Sequence, residues 1–169
     1  MRNLFNWLKE QGITSGEIIA IHPGASDPVR CWPVLQYAQL INRLMERYDF
    51  KIVLIGDQKI APIAAEILHL CSKSVLDLSG RTSVAQVASL LSRCRMIIAN
   101  DTGPVHLGAG VGTAAIALFL RDDPGVNAKR WKPLGPKGFF LLPDAVTVDN
   151  VLDLVEDILC KDTQSTFYW

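Results

Sequence analysis

Short apolar runs alternate along this chain with longer stretches whose apolar residues recur at helical spacing, and that alternation limits the fold more than any other feature. The runs are residues 18–21, 51–55, 75–78, 95–100, 113–120 and 139–142, and they lack the regular in-and-out alternation of a strand with one wet face. Continuous runs of this kind suit strands buried on both faces of a parallel sheet. Between them, residues 33–45 keep Leu35, Ala38, Leu40, Ile41, Leu44 and Met45 on one helical face, and residues 59–70 tolerate Pro62 only if it lies in the first turn of a helix. Val84, Val87, Ala88, Leu90 and Leu91 line a further helix behind Ser83, a natural N-cap, and residues 148–159 form a closing helix with Thr147 as its cap. The architecture expected from this order is α/β, a Rossmann-like doubly wound parallel sheet of about six strands with helices on both faces.

The chain has 169 residues, 49% of them hydrophobic, which is enough for one full core and predicts a single domain. Residues 17–160 hold that domain. Residues 1–16 read as a connecting helix, over 3–11, and a linker, and residues 161–169 as a flexible tail. Residues 121–138 form a long polar loop with three prolines. Loops of that length are usually functional or mobile. Lys plus Arg and Asp plus Glu both number 17, so no basic excess points to nucleic acid, and an anion site would have to be local. The cysteines Cys31, Cys71, Cys94 and Cys160 are scattered without the paired spacing of a zinc site, and they read as reduced thiols of a cytoplasmic protein. No apolar run approaches the roughly 20 residues of a membrane-spanning helix, so the chain is not expected to be transmembrane.

In a doubly wound sheet, ligands bind outside the carboxyl ends of the strands, near the point where strand order reverses. The polar turns of this sequence fall at that edge. After the first strand come Gly24, Ser26, Arg30 and Trp32; after the second, Gly56 and Asp57; after the third, Arg81 and Thr82. After the fourth comes Asn100-Asp101-Thr102-Gly103-Pro104-Val105-His106, a strand end, a tight turn and a helix opened by proline. Free N–H groups and the positive end of the helix dipole make such a terminus an anion site, here beside a carboxylate, a hydroxyl and His106 one turn in. Asp101 and Thr102 could instead simply cap the helix. An arginine for phosphate oxygens, a helix terminus for the far end of a diphosphate and a carboxylate near the second strand for ribose together suit a nucleoside diphosphate. Trp32, in a polar loop beside Arg30, is expected to shape the pocket.

Other patterns carry less. Gly108-Ala109-Gly110-Val111-Gly112 has the wrong spacing for a dinucleotide fingerprint and precedes a strand instead of following one. Asp122-Asp123 reads as solvated surface, His22 and His69 as structural, and Asn100-Asp101-Thr102 as a chance glycosylation sequon. There is no Walker sequence, nucleophile elbow or metal-spaced histidine pair, so no metal or other cofactor is expected.

Four motifs in order, Ile21-His22-Pro23-Gly24-Ala25-Ser26, Arg30-Cys31-Trp32-Pro33, Gly80-Arg81-Thr82-Ser83 and Asn100 through His106, resemble those of bacterial heptosyltransferases. The likeness runs from about residue 17 to 159 and lies in the C-terminal, donor-binding half of a B-type glycosyltransferase. It implies an ADP-heptose-like nucleotide-sugar donor and an acceptor in the lipopolysaccharide inner core. It implies also that Asp101, Thr102, Gly103 and His106 hold diphosphate and sugar, with Arg30 on phosphate and Thr82 near adenine. The N-terminal acceptor-binding domain, with the catalytic base, would be a partner outside this sequence, leaving no catalytic base in this chain. The implied place is cytoplasmic, with peripheral contact at the inner face of the bacterial inner membrane. The alternative is a standalone nucleotide-binding module without chemistry. A nicotinamide oxidoreductase is disfavoured, because the first strand ends in His-Pro-Gly without the glycine fingerprint.

Overall fold

In the computed structural model, which describes residues 17–125 and 127–164, six parallel strands form one sheet in the order β3-β2-β1-β4-β5-β6. The strands are β1 (Ile18–His22), β2 (Lys51–Leu54), β3 (Leu76–Asp77), β4 (Met96–Asn100), β5 (Ala114–Leu118) and β6 (Gly138–Leu141). The helices are α1 (Val34–Arg47), α2 (Ala61–Leu70), α3 (Val84–Leu91), α4 (Gly103–Gly110), α5 (Ala128–Trp131) and α6 (Val148–Gln164). Strand order reverses between β1 and β4, so their carboxyl ends, His22 and Asn100, flank the switch point where a crevice opens.

Every residue of β1, β4 and β5 is buried, as continuous apolar runs require. Because side chains alternate across a strand, the same runs feed two cores. Ile19, Ile21, Leu54, Ile98 and Ile116 pack with Leu40, Ile41, Leu44, Val151 and Val155 from α1 and α6. On the other face Ala20, Val53, Ile97, Ala99, Ala115 and Ala117 pack with Leu90, Leu91 and Val105 from α3 and α4. The small residues are concentrated on that second face, and the helix behind them sits close: a Cβ on Gly108 would lie 2.5 Å from Ile97 Cγ2. Gly108 therefore serves close helix packing, whereas Gly112, at φ +85°, turns the chain towards β5.

Local signals explain the element starts. Ser83 and Gln86 form a reciprocal capping box at α3, Pro62 lies in the first turn of α2, and Thr147 Oγ1 accepts the Asn150 N–H at 3.2 Å before α6. Two expectations need correction. Residues 121–138 are not all irregular, because Asn127 caps the one-turn helix α5 by accepting the Arg130 N–H at 3.1 Å. Helix α6 continues past residue 159 to Gln164. The expected helix over 3–11 and the end of the tail, 165–169, lie outside the described residues. Among the described residues no helix is long and apolar enough to cross a membrane.

Candidate functional site at the switch point

The loop after β1 closes around Asp27, whose carboxylate accepts the Val29 N–H at 3.1 Å and starts the 3-10 turn Pro28–Arg30. That turn brings the Arg30 guanidinium back onto Ser26 Oγ, to which it donates, and to 3.6 Å from Asp101 Oδ2. From the other side His106 Nε2 lies 3.7 Å from Asp101 Oδ1. Asp101 is thus gripped between a fixed cation and an imidazole, with its side chain 10% exposed against 22% for Arg30.

Asp101 and Thr102 do not cap α4. Thr102 occupies the N-cap position but its hydroxyl donates backwards to the Asn100 carbonyl at 3.1 Å, and no side chain closes the helix terminus. A Cβ built on Gly103 would meet nothing within 4 Å, so the terminus faces open space. The start of α4 therefore presents positive dipole and unused hydrogen-bond capacity to solvent, beside the only carboxylate of the cluster.

Asn100 holds this arrangement together, a role that its place in the motif did not give it in the sequence. It is fully buried; its Oδ1 accepts the Trp32 N–H at 3.0 Å and its Nδ2 donates to the Gly24 carbonyl at 3.1 Å. One amide thus ties both ends of the loop carrying Ser26 and Arg30 to the strand that carries Asp101. The signal available in the sequence was an amide at a strand end, immediately before an acidic turn. Its burial and bonding also rule it out as a glycosylation acceptor in the folded chain.

Trp32 requires a correction. Its side chain belongs to the core, at 3% exposure, with its ring edge-on to Tyr37 at 5.0 Å between centroids. It supports the site from below and offers almost no surface to a ligand. His22 is buried as expected, its Nδ1–H donating to the Ile55 carbonyl at 2.9 Å, and burial lowers its pKa. Burial thus favours the neutral ring, which joins the ends of β1 and β2.

Gly24 and Gly56 meet at one side chain. A Cβ on Gly24 would collide with Ile60 Cδ1, and one on Gly56 would lie 2.7 Å from Ile60 Cβ. Asp57, exposed, accepts the Lys59 N–H at 2.9 Å in the turn before α2. Beyond β2, Gly80 adopts φ +70°, which glycine alone takes without strain, and turns the chain towards Arg81 and Thr82. Arg81 is exposed, whereas the hydroxyls of Thr82 and of the neighbouring Ser79 are buried without a hydrogen-bond partner among the described residues. The structure therefore brings Ser26, Arg30, Asp101 and His106 together, gathers Gly24 and Gly56 on Ile60, and leaves Arg81 and Thr82 at the end of β3, away from the cluster.

Burial raises the Asp101 pKa, opposed by the charges of Arg30 and His106. A carboxylate whose folded pKa lies above its unfolded value favours the folded state fully below the unfolded value, and that contribution is lost as pH rises through the folded one. At neutral pH ionised Asp101 is thus a cost to folding. Asp101→Asn is expected to melt at a higher temperature than the parent at about pH 7, with the gap closing towards about pH 4. Parallel pH profiles for the two proteins would show that the carboxylate is not strained.

The reversal of strand order and the polar cluster at its carboxyl edge define a Rossmann-like α/β domain with a polar mouth at the switch point. The chain belongs to glycosyltransferase family 9 (heptosyltransferase), whose sequence profile matches residues 5–142. It is 36% identical over 114 residues to lipooligosaccharide heptosyltransferase 2 of Haemophilus ducreyi, a match covering 63% of this chain and 32% of that protein. Among solved structures, a glycosyltransferase family 9 protein from Veillonella parvula superposes with a TM-score of 0.81 at 17% identity, over 93% of this chain and 50% of that one. The ADP-heptose lipopolysaccharide heptosyltransferase II of Escherichia coli gives 0.76 at 22%, over 94% and 51%. The chain thus spans about a third of the curated relative and half of each solved chain. These likenesses show the fold, one Rossmann-like half of a B-type glycosyltransferase.

Proposed function

We propose that this chain is the donor-binding half of an inverting glycosyltransferase that takes an ADP-heptose-like sugar nucleotide and works on the lipopolysaccharide inner core. The observation carrying this reading is the Asp101 carboxylate held between Arg30 and His106 at the uncapped start of α4. In the proposed reaction, an acceptor-binding N-terminal half supplies the base, the acceptor hydroxyl attacks the anomeric carbon, and the diphosphate leaves from this half. Arg30 and the N–H groups at Gly103 meet the charge that develops on it, preorganised and without a divalent ion. Asp101 and His106 face the sugar side, Thr82 and Arg81 the base side, and Asp57 with Gly24 and Gly56 the ribose side. The enzyme acts in the cytoplasm, in peripheral contact with the inner membrane.

Calorimetry with ADP and with an intact ADP-sugar tests this directly. Binding is expected to be weak and unchanged by a chelator. Asp101→Ala is expected to weaken the ADP-sugar by about tenfold or more, the worth of a charged hydrogen bond, and bare ADP by much less. A requirement for magnesium would overturn the phosphate assignment, and equal losses for both ligands would remove Asp101 from the sugar.

A further inference from the structure

We infer that the segment 129–137 on the β6 flank is a docking surface for an anionic phospholipid bilayer. It reads Lys-Arg-Trp-Lys-Pro-Leu-Gly-Pro-Lys, four cations and no acid, in a chain whose formal net charge is zero. Lys129, Arg130, Lys132 and Lys137 are all exposed, and none is in an ion pair among the described residues. The nearest preceding acids are engaged elsewhere: Asp123 pairs with Arg121 at 2.5 Å, and Asp122 accepts the Ala128 N–H at 3.3 Å. Leu134 is 78% exposed and Trp131 44%, and Phe140 on the edge strand β6 and Leu142 just after it are exposed too.

The segment is folded, so this exposure is built in. Pro133 is buried and sits against Gly138, where a Cβ would collide with its backbone; the Gly138 N–H reaches the Gly135 carbonyl at 3.2 Å, and the Lys137 carbonyl accepts the Ala115 N–H at 2.9 Å. These contacts hold Leu134 outward. Trp131 is fixed as well, its indole N–H donating to the Gly125 carbonyl at 2.9 Å and Arg130 lying 5.5 Å from its ring centroid.

Cations interleaved with a tryptophan and a leucine match the headgroup level of an anionic bilayer, where indole rings settle and basic side chains meet lipid phosphates. Arg130 covers one face of the Trp131 ring, which leaves at most the other for stacking on a base, and the exposed Leu134 is an apolar side chain that a nucleic-acid backbone does not use. The segment leads into the edge strand β6, and among the described residues it makes no hydrogen bond or ion pair with Ser26, Arg30, Asp101 or His106. The inference names the surface behind the peripheral contact proposed above and does not depend on the donor assignment.

Sedimentation of the full chain with vesicles tests it. Binding is expected to vesicles containing about a third phosphatidylglycerol, to weaken with salt, and to be absent on pure phosphatidylcholine. Each cation removed should cost about fivefold in partitioning, so the triple variant Lys129→Ala, Arg130→Ala, Lys132→Ala should lose about a hundredfold. Leu134→Ser should lose several-fold with all four cations retained, and neither variant should change the melting temperature or ADP affinity. Equal binding to both vesicle types, binding untouched by the triple variant, or binding to a soluble polyanion that is as tight as to vesicles and indifferent to Leu134→Ser would each overturn it.

Discussion

The purified chain is expected to transfer no sugar, even with saturating ADP-heptose and acceptor, and to become active when the acceptor-binding half is supplied. The reason is positional. Transfer needs acceptor hydroxyl, base and anomeric carbon held in line, and holding reactants in that way accounts for roughly 7–11 kcal/mol of a barrier. The site described here can hold one of those three. Asp101, the best-placed carboxylate, is 3.6 Å from Arg30 and 3.7 Å from His106, which suits holding a ligand better than accepting a proton. Product analysis by mass spectrometry, with and without the added half, is the measurement. Transfer by this chain alone, abolished by Asp101→Ala, would require a one-domain mechanism with its base among Asp57, Asp101 and His106.

Replacing Asn100 is expected to be the most damaging single change at the site. In Asn100→Ala the Trp32 N–H and the Gly24 carbonyl lose their partner inside the protein, and two stranded polar groups should cost roughly 2–5 kcal/mol. Asn100→Asp keeps an acceptor for Trp32 but turns a carboxylate towards the Gly24 carbonyl, so it should be no better. Beyond stability, the loop bearing Ser26 and Arg30 loses its tether to β4. ADP should then bind at least tenfold more weakly at a temperature where the variant is still folded, whereas adenosine, which has no phosphate for Arg30, should bind as before. Urea denaturation and paired titrations decide it. If both ligands weaken equally, Asn100 supports the domain in general and not the phosphate contact.

Much of this was legible because the fold is carried by patterns the sequence shows directly. Buried strands such as 18–21 and 96–100 are continuous apolar runs, and Ser83, Pro62 and Thr147 mark helix starts through short-range bonds. Conjunction of Arg30, Asp101 and His106 was legible too, since the strand order sends all three to one edge. What stayed hidden depends on contacts between distant segments. Asn100 bonds to residues 68 and 76 positions away, and nothing local distinguishes an amide that staples a loop from one that meets water. Trp32 was misplaced for the same reason: its polar neighbours suggested a pocket wall, whereas its ring turns under the loop to Tyr37. Helix α5 was missed because four residues are too few to show a period.

The collision of Gly24 and Gly56 with one isoleucine makes these three positions a single heritable unit. At Gly24 a side chain would meet the Cδ1 end of Ile60, which a rotamer change can move. At Gly56 it would meet Ile60 Cβ and can enter only after Ile60 has shrunk, while a smaller residue at 60 alone leaves a void between two loops. For Gly56 and Ile60 the order of substitution therefore matters: each first step is harmful and the second step reverses the harm. A lineage or a directed-evolution library that samples single changes will find this corner closed, and one that samples Ile60 jointly with Gly56 will find a route to a differently shaped wall.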